Sequence, residues 1–413
     1  MLSNYIKIAW KVLLRHPFYT FITLFGITIT LTILLLVISM LDHVFGAHYP
    51  EVNRDRSLYV DRIEMYDSTK TFNMQTPPSY AFIKKYVMSL KIPQKVAAIS
   101  SGGSNTYLRN KRIKLQVIYA NAEYWEVFQF DFLDGKPFRQ NNIDQNDQVA
   151  VISEKLSLEY FGSGVEAVGK TIQIENDWFR VLGVVKAVPY TRPYSYADVY
   201  LPYNIPKSHY QDTGIPGSFL AILLAPDKSQ VNAMQAEFAR MVRQVPMPVE
   251  SFGSKYYYFD SHADRYMESF IRASPMRSVS ESGKLYAIGI LLMLLFMSLP
   301  ALNLVNISIS RMMERSSEIS IRKAFGAPNR TLMGQFIIEN LFLTAIGGAL
   351  ALICTLLLLQ VINHSGWIPF SDLTINFRVF AWSLFACLLF GLLSGVYPAY
   401  RMSKMNIVSA LKA

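Results

Sequence analysis

Three stretches of this sequence hold residue types that could do chemistry. The first is RMMERSSEISIRKAFGAPNRTLMGQFIIEN, residues 311–340, lying between two long apolar runs. Its first half carries Arg311, Glu314, Arg315, Glu318, Arg322 and Lys323. Glu318 stands four residues before Arg322, an order that pairs well on a helix. Met313, Ser317, Ile321 and Phe325 recur at helical spacing as a weakly apolar stripe. Fixed charges beside such a stripe suit docking on another surface. The second is Glu339, a carboxylate within an apolar run, where an ionisable group is a functional candidate. It stands about one turn from the start of that run, where a helix N-terminus stabilises negative charge. Packing or coupling is its expected role, ahead of proton relay. The third is the pair His43 and His48. A metal would need further ligands that the local sequence does not offer, so both are expected to be solvated interface residues. His209 and His262 stand alone. No nucleophile–base grouping stands out, so no enzyme chemistry is expected. There is no G-x-x-x-x-G-K-[ST] phosphate loop, and GSGVEAVGK (162–170) has the wrong spacing.

The elements around these residues are those of a membrane protein. The 413 residues are 51% apolar and only 17% charged, against about 25% charged in an ordinary soluble protein. Four segments account for the difference: 18–41, 284–309, 335–362 and 379–400. Each is long enough to cross a bilayer as a helix. Four runs of this length fit spans better than buried core helices. The first is too long for a signal peptide's apolar region and has no adjacent small-x-small cleavage site, so a retained anchor is expected.

Basic residues in short loops mark the cytoplasmic side. Lys7, Lys11 and Arg15 precede the first span. Arg311, Arg315, Arg322, Lys323 and Arg330 outnumber Glu314 and Glu318 in the 310–334 segment. Arg401, Lys404 and Lys412 lie in the tail, 401–413. Both termini and the 310–334 segment are therefore expected in the cytoplasm. The nearly neutral region 42–283 and the short loop 363–378 are expected outside. The net charge of +10 then reflects topology and contact with inner-leaflet lipids; no nucleic-acid partner is expected. Residues 1–17 suit an amphipathic helix on the inner leaflet, with Tyr5, Ile8, Ala9, Val12 and Leu13 on one face. Cys354 and Cys387 both fall within expected spans and read as small packing residues. They leave no disulfide framework or metal site for the outer region.

Residues 42–283 read as mixed α and β. Strands are expected at 57–65, 113–120, 218–225 and 255–260. Helices are expected at 78–90, at 227–245, and briefly after Glu123. VISEKLSLEYFG reads as strand then helix, with Ser153 as N-cap and Gly162 as stop. A strand pair is expected around Asn176-Asp177. Strand–helix–strand units at both ends and a β-rich middle suggest two subdomains, the middle one inserted. Trp125, Trp178 and Tyr256 to Tyr258 are expected in core and rim. The charged segment closes on Gly326 and Pro328, both helix-stop signals, and Asn329 can cap the next helix. The 310–334 segment is thus a short helix–turn–helix joining two spans without slack. A solvated loop needs neither the stop, the mixed charge nor the stripe. A docking patch beneath a membrane protein is what a motor-driven permease would need.

These residues carry a resemblance. The segment 312–351 resembles the coupling region of MacB/FtsX-like permeases of ABC transporters, in which R-E-I-x-I-R-K-A-x-G-A follows the second span. Glu318, Ile319, Ile321, Arg322, Lys323, Ala324, Gly326 and Ala327 match it. Gln335, Phe336, Glu339 and the pair Gly347-Gly348 match the continuation. Pro398, Ala399, Arg401, Ala410 and Leu411 fit the family's ending, though Ile407 stands where proline is usual. The approach to span one, residues 148–162 and 168–189, and Gly135 also resemble family features, so the likeness covers essentially the whole chain.

The resemblance implies an α-helical membrane protein with four transmembrane helices. A large α+β extracytoplasmic domain, with a porter-like βαβ part and an inserted β-rich part, would lie between helices one and two. It implies inner-membrane localisation. It also implies that Arg311, Glu314, Arg315, Glu318, Ile319, Arg322, Lys323, Phe325 and Gly326 engage a cytoplasmic ABC ATPase subunit. That partner would supply the ATP and Mg chemistry, with no cofactor in this chain, because the fused ATPase of MacB has no counterpart in the sequence. A second permease copy or paralogue, and a periplasmic adaptor or enzyme, are further implied partners. The implied function is export or extraction of an amphipathic peptide, lipoprotein or drug. The alternatives are an FtsX-like regulator that activates an outer-surface partner such as a cell-wall hydrolase, and a sensing receptor, which the short 310–334 segment disfavours.

Overall fold

The computed structural model describes residues 14–15, 17–70, 73–108, 111–205, 214–251, 253–273, 287–292, 294–295, 325, 328–365, 373, 377, 380–382, 384–385, 388–389 and 392. The chain divides into two compact units. One is His43–Ser282 with Pro369–Ser371. The other is Met1–Asp42 with Gly283–Ile368 and Asp372–Ala413.

Among the described residues, two long helices are apolar enough to cross a membrane. Helix α1 is Pro17–Phe45, with a candidate span Thr20–Phe45 of mean hydropathy 2.7. Its many Ile, Thr and Val residues are modest helix formers in water. In a bilayer the helix is what satisfies the backbone within one segment, and Pro17 is well placed in its first turn. The second, Asn329–Ser365, contains the candidate span Ile337–Ser365.

The outer unit is built on a nine-stranded mixed sheet. In chain order its strands are β1 (Ser57–Val60), β4 (Lys95–Leu108), β5 (Lys111–Ala120), β6 (Phe132–Gly135), β7 (Val149–Ser153), β8 (Thr171–Ile174), β9 (Asp177–Val185), β10 (Val199–Pro202) and β11 (Leu220–Leu224). Their spatial order is β1-β11-β4-β5-β10-β7-β9-β6, with β8 also on β9. The β5–β10 and β7–β9 pairs are parallel and the rest antiparallel. Gly135 permits the closure of β6 on β9: its φ is +71° and a Cβ would meet the Leu182 carbonyl oxygen at 2.1 Å. A smaller sheet pairs β2 (Ile63–Tyr66) with β3 (Asn73–Thr76) and β14 (Tyr258–Ser261), and β12 (Val249–Ser251) pairs with β13 (Ser254–Tyr256).

Strand alternation divides the core. Tyr59, Ala97, Ile99, Ile118, Val151, Tyr200 and Ile222 share one face, covered by aromatics including Tyr124, Phe128 and Phe138. On the opposite face, Leu58, Ala98 and Leu223 pack with Phe238 and Met234 of α3 (Val231–Val242). Further along, Val117, Ile152, Val199 and Val181 pack with Leu156 of α2 (Glu154–Phe161). Strands β5–β10, expected as a separate inserted part, lie in one sheet with β1, β4 and β11 and share a core face with them. The expected strand 57–65 breaks at Asp61-Arg62, and 255–260 divides between two sheets. The long β4 runs through Ser100-Ser101-Gly102-Gly103-Ser104, a stretch for which no element is expected from the sequence. A final outer helix, α4, is Tyr266–Ala273; α5 hereafter denotes Asn329–Ser365.

Candidate functional site

A helix leaves its last carbonyls without intrahelical partners. In α1 two buried arginines take them. Arg192 Nη2 donates to the His43 carbonyl at 2.9 Å and approaches that of Gly46 at 3.4 Å. Arg54 Nη1 donates to the Val44 carbonyl. Arg192 is 0% exposed, Arg54 5% and Glu51 1%. Arg54 Nε and Nη2 donate to Glu51 Oε2 at 2.9 and 2.6 Å. Ser195 Oγ donates to Glu51 Oε1 at 2.6 Å, and Arg192 Nη1 lies 4.0 Å from Oε2. Two guanidiniums thus face one carboxylate. The negative end of the α1 dipole offsets the remaining charge.

Short elements present these groups. Arg54 opens a 3-10 turn before β1. Arg192 sits in the loop between β9 and β10, wound by Ser195 and Tyr196 amides donating to the Arg192 carbonyl. The Arg54 guanidinium lies 3.8 Å from the Tyr266 ring centroid, a cation–π contact. Tyr266 packs edge-on against Tyr59 and Phe45, and Tyr59 stacks on Tyr194. Ser269 of α4 donates to Asp61 at 2.8 Å. Burial, and then the neighbouring Arg54 charge, pull the Arg192 pKa down; burial pushes the Tyr59 phenol up. The arrangement holds no reactive group poised for transfer. What it can do is fix the end of α1 in the outer unit.

In the membrane unit, α1 meets α5 at small residues. A Cβ on Gly347 would fall 2.6 Å from Ile27 Cγ2, and one on Gly348 2.6 Å from Leu384 Cδ1. Thr28 Oγ1 donates to the Gly347 carbonyl and Thr32 Oγ1 to that of Ala351, both at 3.4 Å. Both partners advance by four residues in the same sense, so the two helices run parallel. Ile27, Leu31, Leu34 and Ala351 form the packed seam, the close approach that glycine allows between membrane helices.

Among the sequence-expected residues, Gly347 lies at this seam, Gly348 faces Leu384 instead, and Glu339 is buried on α5 at 3% exposure. Phe325 is 88% exposed. Arg311, Glu314, Arg315, Glu318, Ile319, Arg322, Lys323 and Gly326 lie outside the described residues, as do residues 1–13 and the tail. His43 corrects an expectation: it is 6% exposed rather than solvated, and its ring stacks on that of His48. Trp125 packs into the aromatic core, while Trp178 is 55% exposed.

Residues 20–241 match the family model of the MacB-like periplasmic core domain, and residues 290–407 that of the FtsX-like permease C-terminal domain. The chain belongs to the MacB/FtsX-like family of ABC transporter permeases. Among relatives of this MacB/FtsX-like chain is the pyoverdine export ATP-binding/permease protein PvdT of Pseudomonas entomophila, 25% identical over 98% of this chain and 59% of that protein. The ABC transporter permease YknZ of Bacillus subtilis is 23% identical over 100% of this chain and 99% of its own length. The macrolide export ATP-binding/permease protein MacB of Escherichia coli K12 is 24% identical over 98% of this chain and 60% of that protein. The chain thus spans about three-fifths of the two ATP-binding/permease relatives. The extracellular domain of YknZ aligns over 49% of this chain and 98% of its own, at 17% identity and a TM-score of 0.36.

Reading the sequence of this MacB/FtsX-like permease missed Glu51, Arg54 and Arg192. The available signal was two arginines near or beyond a span's outer end, one of them inside the aromatic loop PYTRPYSYAD.

Proposed function

We propose that this chain is the permease of an ABC transporter that passes the motion of a cytoplasmic ATPase through the membrane to its outer domain. The work exports or extracts an amphipathic peptide, lipoprotein or drug. The observation that carries this reading is the tandem of a MacB-like core domain and an FtsX-like permease domain in one chain. Relatives named for pyoverdine and macrolide export support the export sense.

The proposed topology has four spans in the inner membrane, with both termini in the cytoplasm. The parallel course of α1 and α5 supports it. Two parallel spans have their N-termini on one face, so the chain between them must cross the membrane an odd number of times. The run 285–309, which carries no charge, supplies one crossing. Segment 310–334 then lies on the same side as Arg15, where its basic residues favour the cytoplasm. Residues 311–326 receive the push of the ATPase, which holds ATP and Mg. Two permease copies, or one copy and a paralogue, complete the assembly, with a periplasmic adaptor or enzyme as outer partner. The buried Arg54–Glu51–Arg192 cluster keeps the end of α1 fixed in the outer domain.

The test is purification of the tagged full chain from its native membrane in mild detergent, followed by identification of stoichiometric partners. A cytoplasmic ABC ATPase is expected. Recovery of the intact permease without any ATPase, under conditions that preserve a known ABC complex, would overturn the reading.

A further inference from the structure

The candidate span Thr20–Phe45 has 26 residues, about 39 Å of helix at 1.5 Å per residue. A bilayer's hydrocarbon core is about 30 Å thick, and about 20 residues cross it. The excess falls where the sequence turns polar, at Asp42 and His43. The last turns of α1 therefore extend beyond the hydrocarbon, which puts Phe45 at headgroup depth.

Phe45 is not alone there. Its ring packs edge-on against Phe270 of α4, with centroids 5.3 Å apart. Phe270 is 57% exposed, although Ser269 and Ile271 beside it are buried. The two rings are in contact, so Phe270 shares the depth of Phe45 to within a few ångströms. In water an exposed phenylalanine leaves apolar surface uncovered. At headgroup depth the same ring meets the boundary between acyl chains and water, where aromatic residues concentrate.

We propose that Phe270, braced by Phe45, is a lipid-contacting foot by which the outer domain rests in the headgroup layer of the outer leaflet. This rests on the reading of α1 as a membrane span. The apolar span that ends at Leu41, one helical turn before Phe45, is what identifies phospholipid as the occupant. The foot sets the depth of α4, which is Tyr266–Ala273.

The experiment uses the full chain in phosphatidylethanolamine–phosphatidylglycerol vesicles, with Cys354→Ala and Cys387→Ala. Nitroxide labels are placed singly through Phe270→Cys, Ile33→Cys and Trp178→Cys, all at exposed positions. Power saturation compares collision with oxygen, which partitions into lipid, and with a water-soluble nickel chelate. The oxygen-to-nickel ratio at Phe270 is expected to be about threefold above that at Trp178 and below that at Ile33, the order of an interfacial site. A lipid-like Ile33 with Phe270 as aqueous as Trp178 overturns the foot and leaves the span intact. Exclusion of both reagents at Phe270 means that protein, such as a second copy, covers it, and also overturns the foot. Aqueous values at Ile33 overturn the span and the foot together.

Discussion

The Arg192 guanidinium lies 2.9 Å from the carbonyl oxygen of His43, fully buried, where the last turn of α1 meets the outer domain. An arginine in that place satisfies an acceptor that the helix leaves open and places positive charge at the negative end of its dipole. Its neighbour Arg54 does the same for Val44, and Glu51 joins the two.

Glu51→Gln leaves both guanidiniums buried without a carboxylate. Breaking a buried ion pair from one side costs about 3–5 kcal/mol, so the variant should lose that much stability in the outer domain. Urea unfolding of the full chain in detergent, followed by near-ultraviolet circular dichroism, measures it. Arg192→Lys should recover only part of the Arg192→Met loss, because a single ammonium cannot reproduce the planar fork that reaches both His43 and Gly46.

Gly347→Ala places a methyl carbon 2.6 Å from Ile27 Cγ2. Overpacking of this kind costs about 1–3 kcal/mol, and thermal unfolding in detergent should show the loss. Ile27→Ala in the same chain should recover most of it. A double variant no better than Gly347→Ala alone would break the assignment of this contact.

Asp61 is held above the ordinary carboxylate range, chiefly by burial, against the hydrogen bond from Ser269 and the charge of Arg62. The folded state therefore holds this proton more tightly than the unfolded chain, and stability falls as pH rises. The penalty is absent below the ordinary carboxylate pKa and complete above the raised value. Asp61→Asn keeps an acceptor for Ser269 and removes the charge. Its stability should exceed that of the parent at neutral pH, with the advantage shrinking in acid. Unfolding midpoints across that pH range test the sign.

Glu318→Lys and Arg322→Glu each reverse a charge in the proposed ATPase-coupling segment. Both should lose most of the co-purifying ATPase, while membrane insertion and the unfolding midpoint stay unchanged. Wild-type recovery of the ATPase with both variants would remove the coupling role.

The parallel α1 and α5 predict labelling. Single cysteines from Arg15→Cys and Phe325→Cys should resist a membrane-impermeant maleimide applied outside intact spheroplasts, and Trp178→Cys should react. Reaction at Phe325→Cys from outside would invert the proposed topology.

Local chemistry made some elements readable in advance. Ser153 caps α2 by accepting from the Leu156 amide at 3.2 Å. Gly162 ends that helix at a φ of +93°, and β8 turns into β9 at Glu175-Asn176. Each depends on residues within a few positions. Strand β4 does not. Its sequence KVAAISSGGSNTYL has few β-formers at its centre, and pairing with β5 from Ile99 to Leu108 makes it a strand. The arginine cluster was hidden for the same reason, since Ser195 and Glu51 are 144 positions apart. At the seam, Gly347 was legible as a small residue, but Ile27 as its partner was not.

The single sheet that joins β1 to β6 has a mechanical consequence. Hydrogen bonds strained along the strand direction resist together, whereas bonds strained across it part like a zip, one after another. Were these nine strands split into two sheets, they could bend at the join. Here the ten-position β4–β5 ladder bridges that point, so a tug on the strand beside the arginines should swing the far edge as one stiff paddle.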